Sequence, residues 1–528
     1  MAPVKVLIAD PLSAAGLEIL RAGGAEVVDA SAEGRAAVLA AIGDCDALLV
    51  RSRTKVDAAL LSAGARLRVV GRAGVGVDNV DVREATRRGV LVLNAPNANL
   101  ISATEHTLAM LLALARSVPA ADASMKRGEW DRKSFLGVEL QGKTLGVVGF
   151  GRIGQRVALR AKAFEMQVIA YDPWLDPAAA ARLGVPLVSI DELLARADAV
   201  TLHVPLSAET RDLLSAARIA LMKPGALLVN CARGGVVDET ALLAALDAGA
   251  VGGAALDVFA EEPPGEPRLA RHPRVVATPH LGAQTVEAQE RVSTEVARMV
   301  LDALAGSFAV SAVNLPFSAE ATEAGPFLAL GEQIGRLGAA LAGGRVKRVE
   351  VELRGLPEAL GPAVALAVAK GALERALGEA VNYVNVEWLA RDRGIELVRT
   401  LHPRRGDYGE QVGLKIAGAE GELALGGALY AERQPRLVRL GHHPLEFRLD
   451  DRLLVLRSWD VPGVLGKVGT QLGALGINIA DIHLARKDGE ADAWTVYRVD
   501  QEVTPAVLAQ LAALSEVRRV LAIDLTRG

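Results

Sequence analysis

A repeated alternation within residues 1–284 constrains this chain more than any other feature. Short apolar runs stand at 4–9, 47–50, 67–70, 90–93, 144–148, 167–171, 199–203, 226–230, 254–258 and 275–278. Amphipathic stretches such as 193–197 and 239–248 lie between them. The runs are nearly unbroken rather than alternating in polarity. A strand with one wet face does not read that way, whereas a strand covered by helices on both faces does. Strand–helix alternation of this kind builds doubly wound parallel sheets. The series divides in two, over about 1–98 and 140–284, with long apolar helices at 102–114 between them and 286–303 after them. The pattern predicts two doubly wound α/β domains joined by two crossing helices. One comprises residues 1–98 and 285–315, the other residues 99–284.

Beyond 315 the texture changes. Residues 316–450 contain alternating segments at 345–353 and 422–430 and no Gly-rich phosphate loop, which predicts an α+β domain. Residues 452–528 read as strand 452–458, helix 464–475, strands 477–485 and 493–499, helix 504–514 and strand 517–525. That order, βαββαβ, is ferredoxin-like.

Hydrophobic residues at 51% suffice for ordinary cores. Lys and Arg total 59 against 63 Asp and Glu, a balance that gives no footprint for nucleic acid. The two cysteines, Cys45 and Cys231, exclude a disulfide scaffold and a cysteine-built zinc site, and no metal is expected. No charge-free apolar stretch reaches about 18 residues, and the opening apolar run is too short for a signal peptide. The expectation is a cytoplasmic protein without a membrane span.

Gly149-Phe150-Gly151-Arg152-Ile153-Gly154 follows the run 144–148 and opens a helix. The three glycines suit a tight turn, close backbone approach to a pyrophosphate, and close helix–strand packing, in that order. Free N–H groups at the helix start then face the phosphates. This is a Rossmann-like dinucleotide fingerprint. Asp172 ends the next run. A carboxylate there accepts from both ribose hydroxyls and repels a 2′-phosphate, which favours NAD over NADP.

Chemistry in an open α/β sheet gathers beyond the carboxyl ends of the strands. Three segments end runs there and carry Arg233, Glu262 and His280. For oxidation of a 2-hydroxy acid, Arg233 can clamp the carboxylate and polarise the developing carbonyl. His280 can take the hydroxyl proton. Glu262 can hold the other ring nitrogen and stabilise the imidazolium. Asp257 can reach the nicotinamide carboxamide, and His203 ends a strand beside it. Cys231 is read as a backbone contact to the cofactor, Cys45 as buried, and His106 as a core residue on an apolar helix face. His272, His402, His442, His443 and His483 lack an acid and an arginine for company. Arg51, Arg53 and Arg72 follow strands of the first domain and would face the cleft, with Arg132 a further candidate. Arginine forks suit phosphate oxygens, and Arg51 and Arg72 rank first.

Over residues 1–315 the chain resembles the D-2-hydroxyacid dehydrogenase family. The resemblance rests on the fingerprint with Asp172, the segment from Asn230 to Gly235, Asp257 with Glu262-Pro263, and His280-Leu281-Gly282-Ala283. Gly71-Arg72-Ala73-Gly74-Val75-Gly76-Val77-Asp78-Asn79 and Asn94-Ala95-Pro96 are further segments that resemble members of the family, and residues 316–450 with the tail resemble its long form. It implies Arg233, Glu262 and His280 as active-site residues. It implies NAD contacts at Val75, Gly149, Gly151, Arg152, Ile153, Gly154, Asp172, Val204, Cys231, Ala232, Arg233, Asp257, His280, Leu281, Gly282 and Ala283. Members often carry Thr where Val75 and Val204 stand, so a hydroxyl contact is absent at both.

The tail resembles an ACT domain through Asp460-Val461-Pro462-Gly463-Val464-Leu465-Gly466 and Gly476-Ile477-Asn478-Ile479. Asp460 can pair with an amino group, and Asn478 offers donor and acceptor to a free amino acid. The implied activity is NAD-dependent oxidation of D-3-phosphoglycerate to 3-phosphohydroxypyruvate, which opens L-serine biosynthesis. L-serine is the implied inhibitor and 2-oxoglutarate a side substrate. Residues 316–450 are then an allosteric substrate-binding module, in which Arg436 and Arg439 could serve an anion. A homodimer or homotetramer is implied, paired through 120–137 with Trp130. Two alternatives stand: a glyoxylate or hydroxypyruvate reductase, and a non-enzymatic NAD-sensing regulator on the same scaffold.

Overall fold

The computed structural model describes residues 3–525 apart from 266, 308–310, 316, 318–324, 431–432, 450–451, 487–488 and 490. The domain ends expected at 1–2, 316, 450 and 526–528 lie outside the described residues.

The first sheet contains β1 (Lys5–Ile8), β2 (Glu26–Asp29), β3 (Ala47–Val50), β4 (Val69–Arg72) and β5 (Leu91–Asn94), all parallel, in the order β2-β1-β3-β4-β5. β3 is buried at every position, as its apolar run demands. β2 was not foreseen: an edge strand reading Glu-Val-Val-Asp has no apolar run to betray it. β4 starts two residues later than expected and takes in Gly71. A Cβ at 71 would stand 2.8 Å from Val300 Cγ2 and 2.9 Å from Val296 Cγ2. Gly71 is the point where helix Val286–Leu304 crosses the sheet.

The second sheet contains β6 (Thr144–Val148), β7 (Gln167–Tyr171), β8 (Ala199–Leu202), β9 (Ala226–Asn230), β10 (Val251–Leu256) and β11 (Val275–Ala277). It is also parallel, in the order β11-β10-β9-β8-β6-β7. β10 begins and ends earlier than the sequence suggests, which frees Asp257 from the strand.

Helix Leu100–Ala115 packs on β9, β10 and helix Arg152–Ala163, whereas helix Val286–Leu304 returns to β4 and helix Ala14–Ala22. The returning helix starts at Thr285, whose Oγ1 accepts from Ala288 N at 3.1 Å and lies 2.8 Å from Ser102 Oγ. The two crossing helices are tied at that point. No single helix among the described residues is long and apolar enough to cross a membrane.

The third sheet contains β12 (Arg348–Arg354), β13 (Glu396–His402), β14 (Gln411–Gly418), β15 (Gly421–Leu429), β16 (Pro435–Leu440) and β17 (His443–Arg448), in the order β13-β12-β14-β15-β16-β17. Only β12 and β13 run parallel, so the sheet is mixed. The fourth contains β18 (Arg452–Trp459), β19 (Ile479–Ala485), β20 (Asp492–Val499) and β21 (Val517–Asp524), antiparallel in the order β19-β20-β18-β21. Helices Val464–Ala474 and Pro505–Ala512 complete the βαββαβ order read from the sequence. The third and fourth sheets share one core: Leu453, Val455, Val496 and Ile523 pack with Leu414, Leu437 and Phe447.

Candidate active site

Each expected segment leaves a strand of the second sheet at its carboxyl end. The glycine fingerprint follows β6, Asp172 follows β7, His203 and Val204 follow β8, Arg233 follows β9, Glu262 follows β10 and His280 follows β11.

The fingerprint behaves as its spacing demands. Gly149 has φ 89°, and a Cβ there would stand 2.6 Å from His203 O. A Cβ at 154 would collide with Gly149 O, whereas at 151 nothing lies within 4 Å. The backbone at 151 is therefore open to a phosphate while its neighbours are closed, the shape a pyrophosphate requires. Asp172 takes Phe150 N on Oδ2 at 2.9 Å and Trp174 N on Oδ1 at 3.0 Å. Each oxygen keeps a lone pair for a ribose hydroxyl. Arg152 donates to Asn97 Oδ1 at 3.0 Å. Burial pushes the His203 imidazole down to about 4, so the ring stays neutral, with Nε2 3.0 Å from Thr201 Oγ1. Burial, then the charge of Asp257, pushes the Cys231 thiol up to about 12, which rules out a thiolate there.

His280 Nδ1 lies 2.7 Å from Glu262 Oε2, and Glu262 Oε1 accepts from Phe259 N at 3.2 Å. Burial raises the Glu262 carboxyl. The hydrogen bond and charge of His280, with the Phe259 N–H, outweigh it and hold the group below its usual range. His280 has φ 54°, a conformation rare for a residue with a side chain. Asp257 holds it there. Its carbonyl accepts from His280 N at 2.8 Å. Its carboxylate accepts from Leu281 N at 2.7 Å, Gly282 N at 2.9 Å and Thr278 Oγ1 at 2.6 Å.

Asp257 is only 1% exposed. Its hydrogen bonds shape the histidine loop. His106 Nε2 stands 3.1 Å from Asp257 Oδ1 and 3.2 Å from Thr278 Oγ1. His106 is thus not only a core residue but a support of that loop. No spacing in the sequence links His106 to Asp257, so only folding reveals the pair.

Asn230 builds the turn that carries Arg233, donating from Nδ2 to Arg233 O at 2.9 Å and accepting from Ala232 N at 3.1 Å. Arg233 Nε donates across the cleft to Asp78 Oδ2 at 3.2 Å. Arg72, at the end of β4, lies close enough to feel Arg233. Burial, then the charge of Arg233, lowers it to about 10, with Asp78 opposing. Its Nε is buried without a hydrogen-bond partner. Arg51, after β3, is also lowered by burial, with Asp10 opposing. The structure therefore gathers Arg51, Arg72 and Arg233.

Arg53 Nε donates to Asp10 Oδ1 at 3.2 Å and its Nη2 to Ala9 O at 3.2 Å and to Ser31 O. A buried acid, Asp10, thus holds Arg53 at the carboxyl edge of the first sheet. Arg132 is exposed on the loop after helix Val118–Lys126 and forms no ion pair with these groups among the described residues.

Asp460 and Asn478 stand apart within one chain. Asp460 N donates to Ala491 O at one end of β20, and Asn478 Nδ2 to Asp500 Oδ2 at the other. The length of that eight-residue strand separates them, roughly 25 Å. Asp460 instead pairs with Arg486 at 2.8 Å. One chain does not bring the two into one pocket.

A guanidinium, a carboxylate–imidazole pair and a dinucleotide cradle at the carboxyl edge of one parallel sheet define a dehydrogenase of hydroxy acids. The comparisons agree. Residues 108–282 match the NAD binding domain of the D-isomer specific 2-hydroxyacid dehydrogenases, and residues 323–441 match the D-3-phosphoglycerate dehydrogenase intervening domain. D-3-phosphoglycerate dehydrogenase of Synechocystis sp. is 41% identical over 526 residues, covering 99% of this chain and 95% of its own. That of Mycobacterium tuberculosis is 42% identical over 524 residues, covering 99% of each. A crystal structure of D-lactate dehydrogenase from Aquifex aeolicus, complexed with NAD and lactic acid, aligns at TM-score 0.52 and 30% identity, over 57% of this chain and 96% of that one. The chain belongs to the D-3-phosphoglycerate dehydrogenase family. It is an NAD-dependent oxidoreductase.

Proposed function

We propose that the chain oxidises D-3-phosphoglycerate to 3-phosphohydroxypyruvate. The observation that carries this reading is the His280–Glu262 pair at 2.7 Å, at the same carboxyl edge of the second sheet as Arg233 and the glycine cradle. Bound NAD supplies the hydride acceptor. Arg233 binds the substrate carboxylate bidentately and draws charge onto the carbonyl oxygen as it forms. His280 uses its free Nε2 to take the hydroxyl proton, because Nδ1 is held by Glu262. Glu262 stabilises the imidazolium that results. Arg51 and Arg72 receive the phosphate, and the unpaired Nε of Arg72 suits that role. Closure of residues 1–98 and 285–315 on residues 99–284 excludes water and aligns the two transfers.

The regulatory part of the reading gives residues 316–450 to the intervening domain and 452–528 to an ACT domain that binds L-serine. The distance between Asp460 and Asn478 favours a serine site shared by two copies, each giving one residue. Val118, Met125, Trp130 and Leu136 are exposed at 54, 53, 79 and 91%, which supports pairing of the NAD-binding parts in a homodimer or homotetramer.

The test is NADH formation from D-3-phosphoglycerate, compared with D-glycerate and D-2-hydroxyglutarate. The phosphorylated acid is expected to give the highest kcat/KM, and no NADH from it overturns the reading. Reduction of 2-oxoglutarate measures the side activity.

A further inference from the structure

We propose that Asp78 is an exchangeable counter-ion of the substrate site, which occupies Arg233 until the substrate carboxylate displaces it. This rests on the reading of Arg233 as the carboxylate clamp. Asp78 lies on the loop after β4, in the first sheet's half of the cleft, and Arg233 on the loop after β9 in the other half. Their ion pair therefore spans the cleft that the substrate must enter.

Three features make the pair one that exchanges. It is monodentate: Oδ2 meets only Nε, at 3.2 Å. A substrate carboxylate that takes two N–H groups binds more strongly. Asp78 is also well exposed, its side chain at 65%, and an ion pair of that kind is weak. The guanidinium is meanwhile held in place by other groups. Arg233 Nη1 donates to Ala232 O at 2.6 Å, and Nη2 lies so close to Gly76 that a Cβ there would collide with it. Losing Asp78 does not release the arginine.

Charge explains why an acid stands there at all. Arg72 is buried and feels the like charge of Arg233, and Asp78, then Asp10, opposes this. Asp10, the other carboxylate near these arginines, is 1% exposed and committed to Arg53, to Arg51 N at 2.7 Å and to Thr54 Oγ1 at 2.8 Å. Asp10 cannot leave, whereas Asp78 can swing into water. Asp78 thereby offsets part of the positive charge of this cluster, and the substrate must compete for its own clamp.

The sign of one measurement decides. Asp78→Asn keeps the shape and removes the charge. Its KM for D-3-phosphoglycerate is expected to fall about two- to fivefold, the worth of an exposed ion pair. Asp78→Ser gives the same shift if the Asn variant fails to fold, and Asp78→Glu restores the parental KM. A KM that rises or stays constant in a folded Asn or Ser variant overturns the proposal. A parent that makes no NADH from this substrate overturns the reading of the site instead. Arg233→Ala separates the two further, because its KM should rise steeply whatever Asp78 does.

Discussion

His280 sits at φ 54° because Asp257 clamps the residues on either side of it. Catalysis at this site thus depends on a carboxylate that need not touch the substrate. His280→Ala should cut turnover by about two to four decades and leave NADH binding, followed by fluorescence titration, intact. An unchanged rate would remove its assigned role. Asp257 is tested through pH. Burial raises its carboxyl, but His106, Thr278 and Leu281 together hold it below the usual carboxylate range. A group whose folded pKa is depressed adds stability above its unfolded pKa and loses it as pH falls through the folded one. Asp257→Asn should therefore lower the Tm at pH 7, and the gap to the parent should close as pH falls below about 4. A gap that stays constant down to pH 3 would contradict this. The sequence names His280, Glu262 and Arg233 because each stands at a predicted strand end. It cannot name His106, whose partner is distant in the chain.

At the scale of elements, β6 and β9 are legible to the residue because their apolar runs are bounded by polar or glycine-containing loops. β2 and the ends of β4 and β10 are not, since edge exposure and interior glycines blur the pattern. Glycine also governs the helix pair Gly325–Leu341 and Gly361–Leu377 over the third sheet. A Cβ at 371 would collide with the carbonyl of Glu332, so the helices touch backbone to backbone. Gly371→Leu should destabilise this part of the chain by about 3 kcal/mol, read as a lower urea midpoint. An unchanged midpoint would mean that the helices can part without cost.

For the whole molecule, Asp460 and Asn478, proposed above to bind serine, stand at opposite ends of β20. If serine binds between two copies, Asp460→Ala and Asn478→Ala should each abolish inhibition. A mixed dimer of the two variants should recover one working site, since one interface keeps both residues intact. Full loss in the mixed dimer would argue for a site within one chain.

The sequence by itself determined most of the strands, the glycine cradle, the acid after β7 and the strand ends that carry Arg233, Glu262 and His280. These depend on periodicity and on spacing of a few residues, which local sterics translate directly into backbone. The tertiary structure alone decided which charges meet: Arg233 with Asp78, His106 with Asp257, Arg53 with Asp10. Such pairs join residues tens to hundreds of positions apart, and their meeting depends on how sheets and crossing helices pack, which no local pattern encodes.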